Sequence, residues 1–76
     1  MNESINQLMD ISDKLTSVVQ NMTRLTILFA LDATDDAQTE LWDGIAFMNE
    51  ATQKANDAGD SLARAINRLR RFSEAD

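Results

Sequence analysis

The chain of 76 residues has no cysteine, no histidine, no proline and no tyrosine, and only two glycines. Each absence removes something. Without cysteine there is neither a disulfide nor a thiolate metal site, and without histidine the commonest metal ligand and the commonest general base are gone. A β-protein of this length needs several tight turns, and turns draw on the glycine and proline that are scarce here. The chain therefore reads as helix with few interruptions. Long apolar runs are missing too. The longest, "ILFAL" at 27–31, falls far short of the ~20 residues of a membrane span. The opening "MNESINQLMD" has no basic start followed by an apolar segment, so no signal peptide is expected and the expected location is the cytoplasm.

What remains is an ordinary apolar fraction, 43%, too high for a disordered chain. A single domain of this size buries only ~60% of its unfolded surface. Small domains usually add disulfides, a metal or a partner subunit. Composition excludes the usual forms of the first two, which leaves self-association.

Two stripes give that inference a shape. In the first segment a seven-residue repeat runs through Ile5, Leu8, Ser12, Leu15, Val19, Met22, Thr26 and Phe29, flanked by Met9, Ile11, Val18, Leu25 and Leu28. Six of those eight repeat positions are apolar, the pattern of a helix packed along its length. Its end, "TILFAL", is apolar nearly all round and calls for more than one neighbour. A second stripe runs through Leu41, Ile45, Met48, Thr52, Ala55, Gly59, Leu62, Ile66 and Leu69. Its phase holds across Gly59, which predicts one helix. Yet "NDAGDS" also reads as a capping glycine followed by an N-capping aspartate, which would split it. Small residues, Ala51, Ala55, Ala58, Gly59 and Ala65, crowd the middle of this segment and suit close approach of another helix. Between the stripes, "LDATDDAQTE" supplies turn and N-cap residues, with Asp35 and Gln38 at capping-box spacing.

The expected fold is all-α: an antiparallel helical hairpin forming a single domain, with helix 1 at about 3–31, a turn at 32–36 and helix 2 at about 36–72. A lone hairpin leaves much of each apolar surface wet, and pairing two hairpins into a four-helix bundle covers it. A homodimer is the first expectation and a higher oligomer the second. The expected oligomer interface comprises Leu25, Leu28, Phe29, Leu41, Trp42, Ile45, Met48, Ala55, Leu62, Ile66 and Leu69.

Chemistry is harder to find. Glu40 and Asp43 share a helix face beside Asp35 and Asp36, but acids at a helix start are matched to its dipole and read as a solvated turn. Ser61 and Ser73 have no base beside them, Lys14 and Lys54 are isolated, and the glycines at 44 and 59 form no phosphate loop. The expectation is a non-enzymatic protein with no catalytic residue, no cofactor and no metal site.

Charge is unevenly distributed. The net charge is −6, yet four of seven cations, Arg64, Arg68, Arg70 and Arg71, lie in "LARAINRLRRF". At 100° per residue Arg64, Arg68 and Arg71 fall within ~60° of one another. This stripe, with Asn67, is the candidate anion site, suited to a small phosphorylated or nucleotide ligand. The plainer reading is that cations in the last turns complement the negative helix end and the acids Glu3, Asp10 and Asp13. Residues 1–63 hold three cations and eleven acids, which disfavours a long nucleic acid. The acidic remainder suits a basic groove on another protein. An inhibitor or adaptor of a protein, of the kind a phage or other mobile element encodes, is the expected class, with sequestration of a small phosphorylated ligand as the alternative.

One resemblance adds a third possibility. Trp42-Asp43-Gly44 near mid-chain, in an apparent helical hairpin, resembles the WxG family of small type VII secretion substrates, which are dimerising helical hairpins. The resemblance implies an export signal at Phe72 and Asp76, and it rests on those two short motifs and the architecture.

Overall fold

The seven-residue periodicity resolves into two helices. A computed structural model describes residues 2–32 and 39–75, forming α1, Asn2–Asp32, and α2, Thr39–Ala75. The expected turn at 32–36 and the Asp35–Gln38 capping pair lie, from residue 33 onward, outside the described residues. α2 is continuous through Gly59 for all of its 37 residues. The steady phase of the stripe across that glycine is the physical reason: a break would turn its second half away from α1.

The helices run antiparallel, with Ser73 donating to Asn2 Oδ1 at 3.2 Å where the two chain ends meet. They form a rod of 62 × 14 × 12 Å. Its radius of gyration, 17.4 Å, well exceeds the about 11 Å of a compact domain of equal length.

The repeat positions form the seam. Among the described residues Ile5, Ile45 and Ile66 are the buried apolar ones, each 6% exposed, and Thr26 is the buried polar one. Leu8, Ser12, Leu15, Val19 and Met22 are half-buried in α1, as are Leu41, Met48, Thr52, Ala55, Gly59 and Leu62 in α2. Phe29 and Leu69, at the stripe ends, are exposed. No large side chain is fully enclosed among the described residues, because two cylinders in contact along a line have no third surface to close over them.

Polar members of the seam are satisfied locally. Thr26 donates to the Met22 carbonyl and Thr52 to the Met48 carbonyl, both at 2.7 Å. Such i−4 bonds let a hydroxyl sit in an apolar seam without an unpaired donor, and no buried side-chain polar atom lacks a partner among the described residues. Register is marked by Leu15, whose Cδ2 lies 3.7 Å from where a β-carbon on Gly59 would stand. Counting outward in opposite directions from that contact brings Val19 level with Ala55 and Ser12 level with Leu62, so that large faces small. Ion pairs contribute less. Lys14–Asp10 and Lys54–Glu50 are exposed i,i+4 pairs at 2.9 and 3.0 Å, worth about 0.3–0.5 kcal/mol each.

A β-carbon at Gly59 would make only an ordinary contact, and at Gly44 it would meet nothing within 4 Å. Glycine inside a helix costs roughly 0.5–1 kcal/mol relative to alanine. Gly59→Ala and Gly44→Ala should each raise the unfolding free energy by about that amount, measured by urea titration followed by circular dichroism. A loss of stability in Gly59→Ala would mean that the helices approach more closely at Leu15 than described.

Candidate interaction surface

Twelve large apolar side chains are exposed among the described residues, against three that are buried. They are not scattered evenly. The helices touch along the seam, which leaves the rod two flanks and two backs, and an antiparallel pairing decides which residues share a flank. Residues immediately following Leu8, Leu15, Ala55, Leu62 and Leu69 lie on one flank. Residues immediately preceding Ser12, Val19, Thr26, Thr52, Gly59 and Ile66 lie on the other.

The first flank is grooved and mixed in character, with Met9, Trp42 and Ala63 on it among mainly polar side chains. Asn2, Asn6 and Met9 line a shallow depression with Arg70, Ser73 and Glu74. Further along, Thr16 and Gln20 face Asn56 and Asp60 across a second one. Thr16 donates to the Ser12 carbonyl at 3.1 Å, which holds its hydroxyl against its own helix.

The second flank is apolar. Its α1 row is Ile11, Val18 and Leu25, and its α2 row is Ala51, Ala58 and Ala65, each at seven-residue spacing and all exposed. Counting from the Leu15–Gly59 contact sets these rows level, Val18 beside Ala58 and Leu25 beside Ala51. Leu28 and Phe47 extend the strip toward the loop end, where Phe47 is 70% exposed.

The expected interface residues divide between seam and surface. Ile45 and Ile66 are buried, and Leu41, Met48, Ala55 and Leu62 half-buried, against α1. Leu25, Leu28, Phe29, Trp42 and Leu69 are exposed. Ile11, Val18, Ala51, Ala58 and Ala65, absent from that expected set, turn out to form the longest apolar strip. Their signal was present in the sequence as a second seven-residue spacing beside the first.

The arginine stripe stands on the back of α2. Arg64, Asn67, Arg68 and Arg71 are all exposed. Arg70 turns toward the grooved flank, where Asn67, Arg71 and Glu74 line a shallow groove with it. Because α2 continues to Ala75, its last turn contains no basic residue. The dipole effect fades beyond the last turn, so end-complementation accounts for little of the cluster. Glu3 and Asp10 are exposed on the back of α1, on the opposite side of the rod, and the ion pairs among the described residues involve only Lys14 and Lys54. A charged row also runs along the back of α2, with Asp43, Glu50 and Asp57 at seven-residue spacing before Arg64 and Arg71 continue it.

Among the described residues no group of acids is placed to hold a metal ion, and no helix is long and apolar enough to cross a membrane. Trp42-Asp43-Gly44 lies within α2, and of the residues that would carry an export signal Phe72 is exposed, while Asp76 is outside the described residues. The chain matches no protein-family model, no curated protein and no solved structure.

Seam and surface should respond differently to truncation. Ile45→Ala should cost about 2–4 kcal/mol of unfolding free energy. Leu31→Ser, at a position 74% exposed on the back of α1, should stay within about 0.5 kcal/mol of the parent. Equal losses in the two variants, read from paired urea titrations, would contradict the division of the rod into seam and surface.

Proposed function

We propose that this protein works by binding, as a self-associating helical module that inhibits or bridges another protein. One observation carries the reading. Among the described residues the hairpin buries three apolar side chains, half-buries most of the rest of its seam and leaves twelve large ones exposed. Of these, Ile11, Val18, Leu25, Leu28 and Phe47 lie in one strip, and a contiguous apolar strip of this kind marks an interaction surface. Self-association of two hairpins into a four-helix bundle covers the strip and leaves the charged backs outermost. Those backs, acidic for most of their length, then meet the partner protein, whose contact surface is basic. Catalysis is not part of the reading: among the described residues no hydrogen bond joins a serine or threonine hydroxyl to a carboxylate or an amine. A cytoplasmic setting, and an origin in a phage or mobile element, fit a compact inhibitor of this type.

A second reading has its own support in the exposure of Arg64, Asn67, Arg68 and Arg71 on one back of the rod. Three guanidinium groups there suit a small phosphorylated ligand such as a nucleotide. The Glu74 carboxylate in the neighbouring groove and the shallowness of the surface favour the protein-binding reading over it. The resemblance to secretion substrates would instead require residues 72–76 for export.

The readings separate in one set of measurements. Pull-down with the whole chain should recover one stoichiometric protein partner from cell extract. The double reversal Asp57→Lys/Asp60→Lys should release that partner while leaving the chain's own association intact. A thermal shift of several degrees with a nucleotide, removed by Arg68→Glu, together with no protein partner, would reverse the order of the two readings.

A further inference from the structure

We infer that the apolar flank is the surface on which a second copy of this chain packs, with a two-fold axis along the rod, each α1 lying against the partner's α2 and like ends together. The inference rests on the self-association proposed above and names its face and its geometry. The flank carries a bulky row, Ile11, Val18 and Leu25, beside a small row, Ala51, Ala58 and Ala65, at matching levels. Such a surface is complementary to itself, which an isologous interface requires. Rotation about the long axis seats each bulky row on the partner's small row, so that large and small alternate around every layer. A two-fold axis across the rod would instead set bulky on bulky and small on small.

The bordering positions favour the same arrangement. With like ends together, Leu28 meets the partner's Phe47, Gln7 its Arg68, Lys14 its Ser61 and Asn21 its Lys54, with no pair of like charges. On the outer surface the back row of α1 then runs beside the back row of the partner's α2. Glu3 comes level with the partner's Arg71, Asp10 with its Arg64 and Arg24 with its Glu50. These acids and arginines face opposite ways within one hairpin, and only a second copy brings them side by side. The crossed arrangement would place Phe47 beside an arginine and bring Asp57 against its own copy.

Area agrees. The chain exposes 6023 Å², while a compact 8.5 kDa body would expose roughly 4,700 Å². Two separate copies expose about 12,000 Å², against roughly 7,700 Å² for one compact body of twice the mass. The difference exceeds the roughly 1,200–2,000 Å² of a standard stable interface, so the hairpin has exposed surface enough for one.

Sedimentation equilibrium of the full chain should give a mass of two chains at micromolar concentration. Val18→Lys and Ala58→Lys should each weaken association at least tenfold, and Asn56→Lys, on the grooved flank, should not. A readout that does not depend on a lysine being tolerated is alkylation of single-cysteine variants, clean here because the chain has no cysteine of its own. Ala58→Cys should react at least tenfold more slowly than Asn56→Cys. Spin labels on Asp43→Cys should lie within roughly 30 Å of each other with like ends together, against about 45 Å in the crossed arrangement from the 1.5 Å rise per residue. A dimer that survives both lysine variants, or equal alkylation at 58 and 56, overturns the face while self-association stands. The longer spin distance overturns the orientation. A single chain at 100 µM, or a mass other than two chains, removes the pairing itself.

Discussion

The line contact between the two seven-residue stripes is what the rest of the rod depends on. Leu15 against Gly59 marks its register: the branched side chain lies 3.7 Å from where a β-carbon on Gly59 would stand, an ordinary contact, and the other residue pairs are counted from there. Moving α2 by one residue would rotate its stripe by about 100° and lift Ile45 and Ile66 out of the seam. Moving it by a whole repeat would keep the stripe in place but set Leu15 against Thr52 or Ile66 instead of glycine. A small residue at 59, glycine or alanine, suits this register better than Thr52 or Ile66 would, and periodicity alone leaves the choice open.

A seam of this kind has a limit that no choice of side chains removes. Two helices in line contact shield a strip on each, and the residues in that strip here include Ser12, Thr26, Thr52, Ala55 and Gly59, which contribute little apolar area. Ile5, Ile45 and Ile66 are the strip's best-buried apolar members and even they are not fully enclosed, while Leu8, Leu15, Val19, Met22, Leu41, Met48 and Leu62 are only half-buried. Fully burying such a side chain yields about 1.5–3 kcal/mol, while ordering each residue costs about 1–2 kcal/mol. The small seam and the large exposed strip are therefore two aspects of one arrangement: apolar area withheld from the hairpin is placed on its flank.

Much of this was legible in the sequence, for a definite reason. Seven-residue spacing is a property of one helix against one neighbour, so the stripes through Ile5–Phe29 and Leu41–Leu69 could be read without coordinates, as could a hairpin. The flank was not legible in the same way. Ile11, Val18 and Leu25 read as flanking residues of the first stripe, and Ala51, Ala58 and Ala65 as part of a small contact surface that could face either α1 or another helix. They become one surface only when an antiparallel pairing places the two rows on the same side. The arginines are a different case. Their spacing already placed Arg64, Arg68 and Arg71 on one exposed face, where all three are exposed, while the alternative of a helix end is weakened because α2 extends to Ala75, past the last of them.

The uneven charge follows the same logic. An acidic body with net charge −6 repels its own copies at a distance, and screening reduces that cost only beyond about 8–10 Å. A chain that pairs with itself must either keep charge off the contact surface or oppose unlike charges along its border. Both features occur here. No charged residue stands in the rows Ile11–Leu25 and Ala51–Ala65, and the back of α1 is acidic at the level where the back of α2 is basic. Within one hairpin those two groups point apart and gain nothing from each other. If two copies pair as proposed, the arginine cluster forms half of a border whose other half, Glu3 and Asp10, belongs to the neighbouring copy. Its remaining positive charge, on the solvent side of that border, is what would be left for an anionic ligand.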